Sequence, residues 1–167
     1  MEAIQLLPTL TKYFETYKTL AEKAFQQLDE EHFFFRPVGQ SNSIAIIIQH
    51  MYGNAMSRFT NILTGDGEKE WRKRDAEFEA MDVSKQDLMD FWKTGWQTVF
   101  NALGALTEDD LGKTVYIRSE PHTVLEALHR QLTHYSYHVG QIVLLAKMQK
   151  EDFTSLSIPK AKAPGNG

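Results

Sequence analysis

Apolar residues recur at steps of three and four in four long segments of this chain, the period of an amphipathic helix. The first, from about Ile4 to Leu28, sets Leu7, Leu10, Phe14, Tyr17, Leu20 or Ala21, Ala24 and Leu28 on one face. It stops before Phe33-Phe34-Phe35-Arg36-Pro37, where the proline biases Arg36 away from helical backbone. Ser41-Asn42-Ser43 supplies N-cap chemistry for a second segment, Ile44 to Leu63, with Ile44, Ile47, Ile48, Met51, Ala55, Phe59 and Ile62 inward. Gly65-Asp66-Gly67 ends it. Ser84-Lys85-Gln86-Asp87 has the form of a capping box and opens a third helix, carrying Leu88, Phe91, Trp92, Trp96, Val99 and Leu103 and ending near Gly104. Pro121 and Thr123-x-x-Glu126 open the fourth, which runs to about Lys150.

Two stretches fall outside this pattern. Thr114-Val115-Tyr116-Ile117 is β-prone and reads as extended, with no sheet assigned to it. The connection between Gly65 and Asp82 is long and dense in charge, enough to cross a bundle rather than turn straight back. Four amphipathic helices and no strong strand signal predict an all-α fold, a four-helix bundle of the antiparallel type, with its topology open. Residues 1–152 are expected to form this single unit, and 153–167, with Pro159 and Pro164, a loosely held tail.

Composition narrows the classes of function. At 167 residues with 42% hydrophobic and 24% charged residues, the chain reads as one ordinary globular domain rather than a disordered segment. Eighteen basic residues against 22 acidic give a net charge of −4, so no global field draws it to nucleic acid or to an anionic membrane. Cysteine is absent, which excludes disulfides, thiolate metal sites and a cysteine nucleophile. Met1-Glu2-Ala3-Ile4-Gln5 leads directly into amphipathic sequence, and no apolar run approaches about 18 residues. The expected address is the cytoplasm.

The sharpest chemical feature is His134-Tyr135-Ser136-Tyr137-His138 in the fourth helix. Histidines four apart share a helical face with Cβ atoms about 5–6 Å apart, close enough to converge on one ion. His50, on an inner stripe of the second helix, is the third candidate ligand. The competing reading makes these histidines packing residues of the core. Three neutral imidazoles suit Zn²⁺, Ni²⁺, Cu²⁺ or Fe²⁺ and not Mg²⁺ or Ca²⁺, and would leave a coordination position open. Asn54 and Arg58, one and two turns beyond His50, and Gln141, one turn beyond His138, are candidates to orient substrate or a ligand. Tyr137 is expected off the metal face, and His32, His122 and His129 are assigned to structure or surface. Lys69, Arg72, Lys73 and Arg74 beside Trp71 read either as an anion-recognising lip or, preferably, as a salt-bridged loop clamped to the bundle end. Phe33-Phe34-Phe35 is expected to cap the bundle, or to serve a dimer contact where exposed.

Ser41-Asn42-Ser43-Ile44-Ala45 leading to His50, followed by His134-x-x-x-His138-x-Gly140-Gln141-Ile142, resembles the DinB-like superfamily of bacterial four-helix proteins. The stretch from Gly53-Asn54-Ala55-Met56-Ser57-Arg58 to Trp71-Arg72-Lys73-Arg74-Asp75 is similar to one largely uncharacterised subgroup of it. The resemblance covers nearly the whole chain. It implies an up-down-down-up order with a long connection between helices 2 and 3, a homodimer, and a divalent metal, zinc or nickel, held by His50, His134 and His138. Other branches of the superfamily include S-transferases that use bacillithiol or mycothiol and a maleylpyruvate isomerase. The expected partner is therefore a small molecule, such as a low-molecular-weight thiol, in a metal-dependent transferase or hydrolase. The alternative is a non-catalytic stress protein that binds a metal or small ligand.

Overall fold

The computed structural model describes residues 5–39 and 41–156, so Ile4 of the first expected helix and residues 157–167 of the expected tail lie outside the described residues. The polar signals at the helix starts act as their chemistry predicts. Ser43 caps α3 (Ile44–Phe59) by accepting from the Ile46 N–H. Ser84 and Asp87 form a reciprocal capping box on α4 (Lys85–Ala105), as Thr123 and Glu126 do on α5 (Val124–Gln149).

Helix ends differ more. α1 (Leu6–Phe25) finishes early, and Leu28 is buried from the turn that follows. A short helix not expected from the periodicity, α2 (Glu30–Phe34), starts on an Asp29/His32 box in which His32 Nδ1 accepts from the Asp29 N–H at 3.0 Å. It buries Phe33 completely and leaves Phe34 and Phe35 exposed. α3 stops at Phe59 because Thr60 turns extended and Asn61 enters the left-handed region at φ 52°. Ile62, which continued the helical stripe in sequence, packs on the core from that turn.

The expected extended stretch is β1 (Thr114–Ile117), and it has a partner, so the fold is mostly helical rather than wholly so. β2 (Glu120–Thr123) pairs with it antiparallel, with Val115 opposite His122 and Ile117 opposite Glu120. Pro121 thus lies within a strand rather than at a helix start, and Thr123 ends β2 while capping α5. Arg118 and Ser119, at φ 56° and 64°, make the tight hairpin turn. Their N–H groups donate to Asp66 at 2.9 and 2.7 Å, pinning the long connection to the hairpin.

The four long helices share one core, with Phe14, Phe59, Trp96 and Tyr135 at its centre. Contacts fix how neighbouring helices run. Tyr52 stacks on Phe91, Gly95 lies against Tyr52 and Ala55, and Thr98 reaches Met56, so α3 and α4 run the same way. Between α1 and α4 the order reverses: Glu22 accepts from the Trp92 indole while Phe14 meets Trp96. α3 and α5 are also opposed, since His50 faces His134 and His138 while Phe59 lies beside Leu128. Phe14 meets Tyr135, and beyond α5 Thr154 bonds Gln27, so α1 and α5 run together. Among the described residues no helix is long and apolar enough to cross a membrane.

Candidate metal centre

Opposed packing of α3 and α5 brings the middle of one helix against the HxxxH turn of the other. His134 Nε2 lies 3.1 Å from His50 Nε2 and 3.1 Å from His138 Nε2. One ligating nitrogen from each of the three falls within 4.8 Å of the others. His50 and His138 are each 5% exposed, and His134 is partly open to a cleft above them. Nitrogens held about 2.0–2.1 Å from a tetrahedral ion lie roughly 3.3 Å apart, so the spacing fits a shared metal with little adjustment.

The opposite ring nitrogens decide what faces inward. His50 Nδ1 is 2.8 Å from Glu77 Oε2, and His138 Nδ1 is 2.9 Å from Gln141 Oε1. A carboxylate and an amide oxygen only accept, so both Nδ1 atoms carry their protons and both Nε2 atoms point lone pairs at His134. The single N–H of a neutral His134 serves those two lone pairs poorly. A cation at their meeting point serves all three rings. His134 Nδ1, by contrast, is buried without a partner among the described residues.

Electrostatics keep His134 and His138 neutral. Burial first, then the neighbouring His138 and His50, bring His134 down to about 3. Burial and His50 bring His138 down to about 4, against the opposing bond to Gln141. Both rings are therefore unprotonated at neutral pH, the state a metal requires. Glu77 is pulled up by burial, but the bonds from Arg72 and His50 outweigh that and hold it below the ordinary carboxylate value.

Glu77 is the residue that sequence reading missed. It comes from a 3-10 turn (Asp75–Phe78) inside the long connection, 27 positions from His50. Arg72 holds it from behind with two bonds, at 2.7 and 2.8 Å. Room for its carboxylate is made by Gly53, where any Cβ would overlap Glu77 Oε1. A glycine in mid-helix one turn after a candidate ligand was the available signal, since it marks close approach of another group.

The remaining candidates fall on the same cleft, a space of about 420 Å³. Gln141 bonds a histidine, whereas Asn54 and Arg58 share the cleft with the three without a hydrogen bond to any of them among the described residues. Arg58 is buried, donates to the Gly67 carbonyl and pairs with Glu68 at 2.9 Å, fastening the connection to α3. Arg72 also reaches Glu68, at 3.3 Å, so this part of the connection is salt-bridged. Arg74 instead lines the cleft, and Tyr137 lies on its rim with its ring 4.2 Å from that of His138, nearer the centre than the helical wheel placed it. His32 caps α2 and His129 is exposed on α5.

A mostly helical protein with three clustered histidines close enough to hold a metal is thus the class that fold and site define. The chain belongs to the family described as protein of unknown function (DUF1572), whose model matches residues 2–162. No curated protein matches it.

Proposed function

We propose that the chain is a DinB-like four-helix bundle of up-down-down-up order in which His50, His134 and His138 bind one divalent transition metal, zinc or nickel. The observation that carries this reading is the convergence of three Nε2 atoms, two of them left as lone pairs because Glu77 and Gln141 hold the ring protons on Nδ1. The shared direction of α3 and α4 supports the helix order. When bound, the ion supplies Lewis acidity, which brings a thiol or water towards its ionised form near neutral pH.

The protein's own groups do the rest. Glu77 and Gln141 hold the Nδ1 protons and set ring orientation, and Arg72 keeps Glu77 in place. Phe78 and Tyr137 wall the cleft beside the rings. We assign the site to a metal-dependent S-transferase acting with a low-molecular-weight thiol of the bacillithiol type, or to a hydrolase. Its setting on this reading is a cytoplasmic homodimer whose partners are small molecules rather than nucleic acid or membrane.

Elemental analysis of protein purified without a histidine tag tests the metal. About one zinc or nickel per chain is expected, falling steeply in His50→Ala, His134→Ala and His138→Ala. Unchanged stoichiometry in all three variants would overturn the assignment. A panel of thiols and electrophiles on the same metal-bearing preparation then tests turnover, and its absence would leave a metal-binding protein without catalysis.

A further inference from the structure

Among the described residues, the cleft above the histidines is lined by five arginines, Arg58, Arg72, Arg74, Arg118 and Arg130, and by no carboxylate. Two of these charges are already committed. Arg72 is spent on Glu77 and Glu68, and Arg58 on Glu68. Arg118 shares that same Glu68 oxygen, at 3.0 Å, from the half-exposed hairpin turn. Two carboxylates therefore answer three guanidiniums in the wall, before a divalent cation adds to the imbalance.

The other two arginines are less restrained. Arg74 lies over the Phe78 ring, 5.2 Å from its centroid, and its nearest carboxylate is the fully exposed Asp75 at 3.7 Å. A pair so exposed contributes little and exchanges readily. Arg130 takes part in no ion pair among the described residues. It precedes His134 by four positions on α5, so both side chains rise from one face of the helix. A guanidinium there reaches the outer end of a molecule whose inner end sits at the histidines.

A second observation points the same way. Asn54 and Gln131, 5% and 4% exposed, line this cleft, and no donor among the described residues reaches their amide oxygens. Buried acceptors left unmet are costly, so acceptors of this kind on residues at the wall of a cleft favour an occupant that brings donors.

We infer that the cleft takes a small molecule bearing an oxyanion, gripped by Arg130 and Arg74, and hydroxyl or amino groups that donate to Asn54 and Gln131. This names the substrate class of the proposed metal centre and rests on that reading. Guanidinium fits either a carboxylate or a phosphoryl group through paired bonds.

Calorimetric titration of zinc-loaded, tag-free protein tests it with L-malate, succinate, inorganic phosphate and the neutral malamide. L-malate or phosphate is expected to bind and malamide not to, which also separates carboxylate from phosphoryl preference. Succinate, lacking the hydroxyl, is expected to bind more weakly than L-malate. Arg130→Gln and Arg74→Gln are each expected to weaken the anion about ten-fold or more while zinc stoichiometry stays at that of the parent. Absence of anion binding to zinc-loaded protein, equal binding of malamide, or indifference to both arginine variants would overturn the inference and leave the metal centre standing. Should the parent fail to hold zinc, the metal reading falls, and the same titration of metal-free protein decides the arginine grip by itself.

Discussion

Glu77 and Gln141 occupy equivalent places, each behind a histidine whose Nδ1–H it receives, yet unequal amounts depend on them. Glu77 is buried and is also the main partner of the Arg72 guanidinium, whose side chain is only 2% exposed. Glu77→Gln keeps an acceptor for His50 but removes the nearer of the two carboxylates that Arg72 is buried against, leaving only Glu68 at 3.3 Å. The cost should approach but not reach that of a fully unpaired buried charge, about 3–5 kcal/mol. Gln141 is on the exposed side of α5, so Gln141→Ala leaves the His138 N–H free to bond solvent. The expected result is a 10- to 100-fold loss of zinc affinity in Glu77→Gln, as is usual for groups that orient metal ligands, with a clear fall in melting temperature. Gln141→Ala should lose less than about ten-fold and melt near the parent. Competition against a chromophoric chelator and thermal melts read both, and equal losses in the two variants would contradict this ranking.

At the scale of elements, the site depends on α5 being held in register, and its start is a capping box. Thr123 Oγ1 accepts from the Glu126 N–H at 3.1 Å, while Glu126 accepts from the Thr123 N–H at 2.7 Å. Thr123→Ala should cost about 1 kcal/mol in urea unfolding, typical of a lost cap. It should leave zinc stoichiometry intact, because His134 lies three turns further along. This box, like that of Ser84, was legible in the sequence because capping is local: the donor and acceptor are three residues apart. The HxxxH pair was legible for the same reason, being fixed by helical pitch. Glu77 was not, since its meeting with His50 depends on the path of a charged connection that no periodicity describes. β2 was hidden too, because Glu120, Pro121 and His122 carry no strand pattern and pair only through the left-handed turn at Arg118 and Ser119. The basic connection illustrates both sides: Arg72 is the salt-bridged clamp that its composition suggested, but Arg74, two residues on, faces the cleft.

For the whole molecule, holding two imidazoles neutral in a cleft crowded with arginines ties folding to pH. His134 and His138 have native values of about 3 and about 4, against 6.5 when unperturbed. Below pH 6.5 the unfolded chain binds protons on both rings that the native protein does not, so stability falls as pH falls across this window. The contribution is fully present above 6.5 and continues to drain away until the native rings themselves titrate. Between pH 6.5 and 5 the carboxylates, whose ordinary values are 3.8 to 4.5, stay mostly ionised in either state. Loss of stability in that interval therefore reports on histidines. Metal-free protein should show a melting temperature that declines steadily from pH 6.5 to 5, and His134→Gln, which cannot bind the proton in either state, should decline less steeply. Zinc binds the same neutral rings, and in the folded protein these stay unprotonated down to about pH 4. The rise in melting temperature it produces should therefore hold from pH 6.5 to 5 and shrink only as the native rings themselves titrate. A flat profile for the metal-free parent, or a His134→Gln profile parallel to it, would show that burial does not hold this ring neutral.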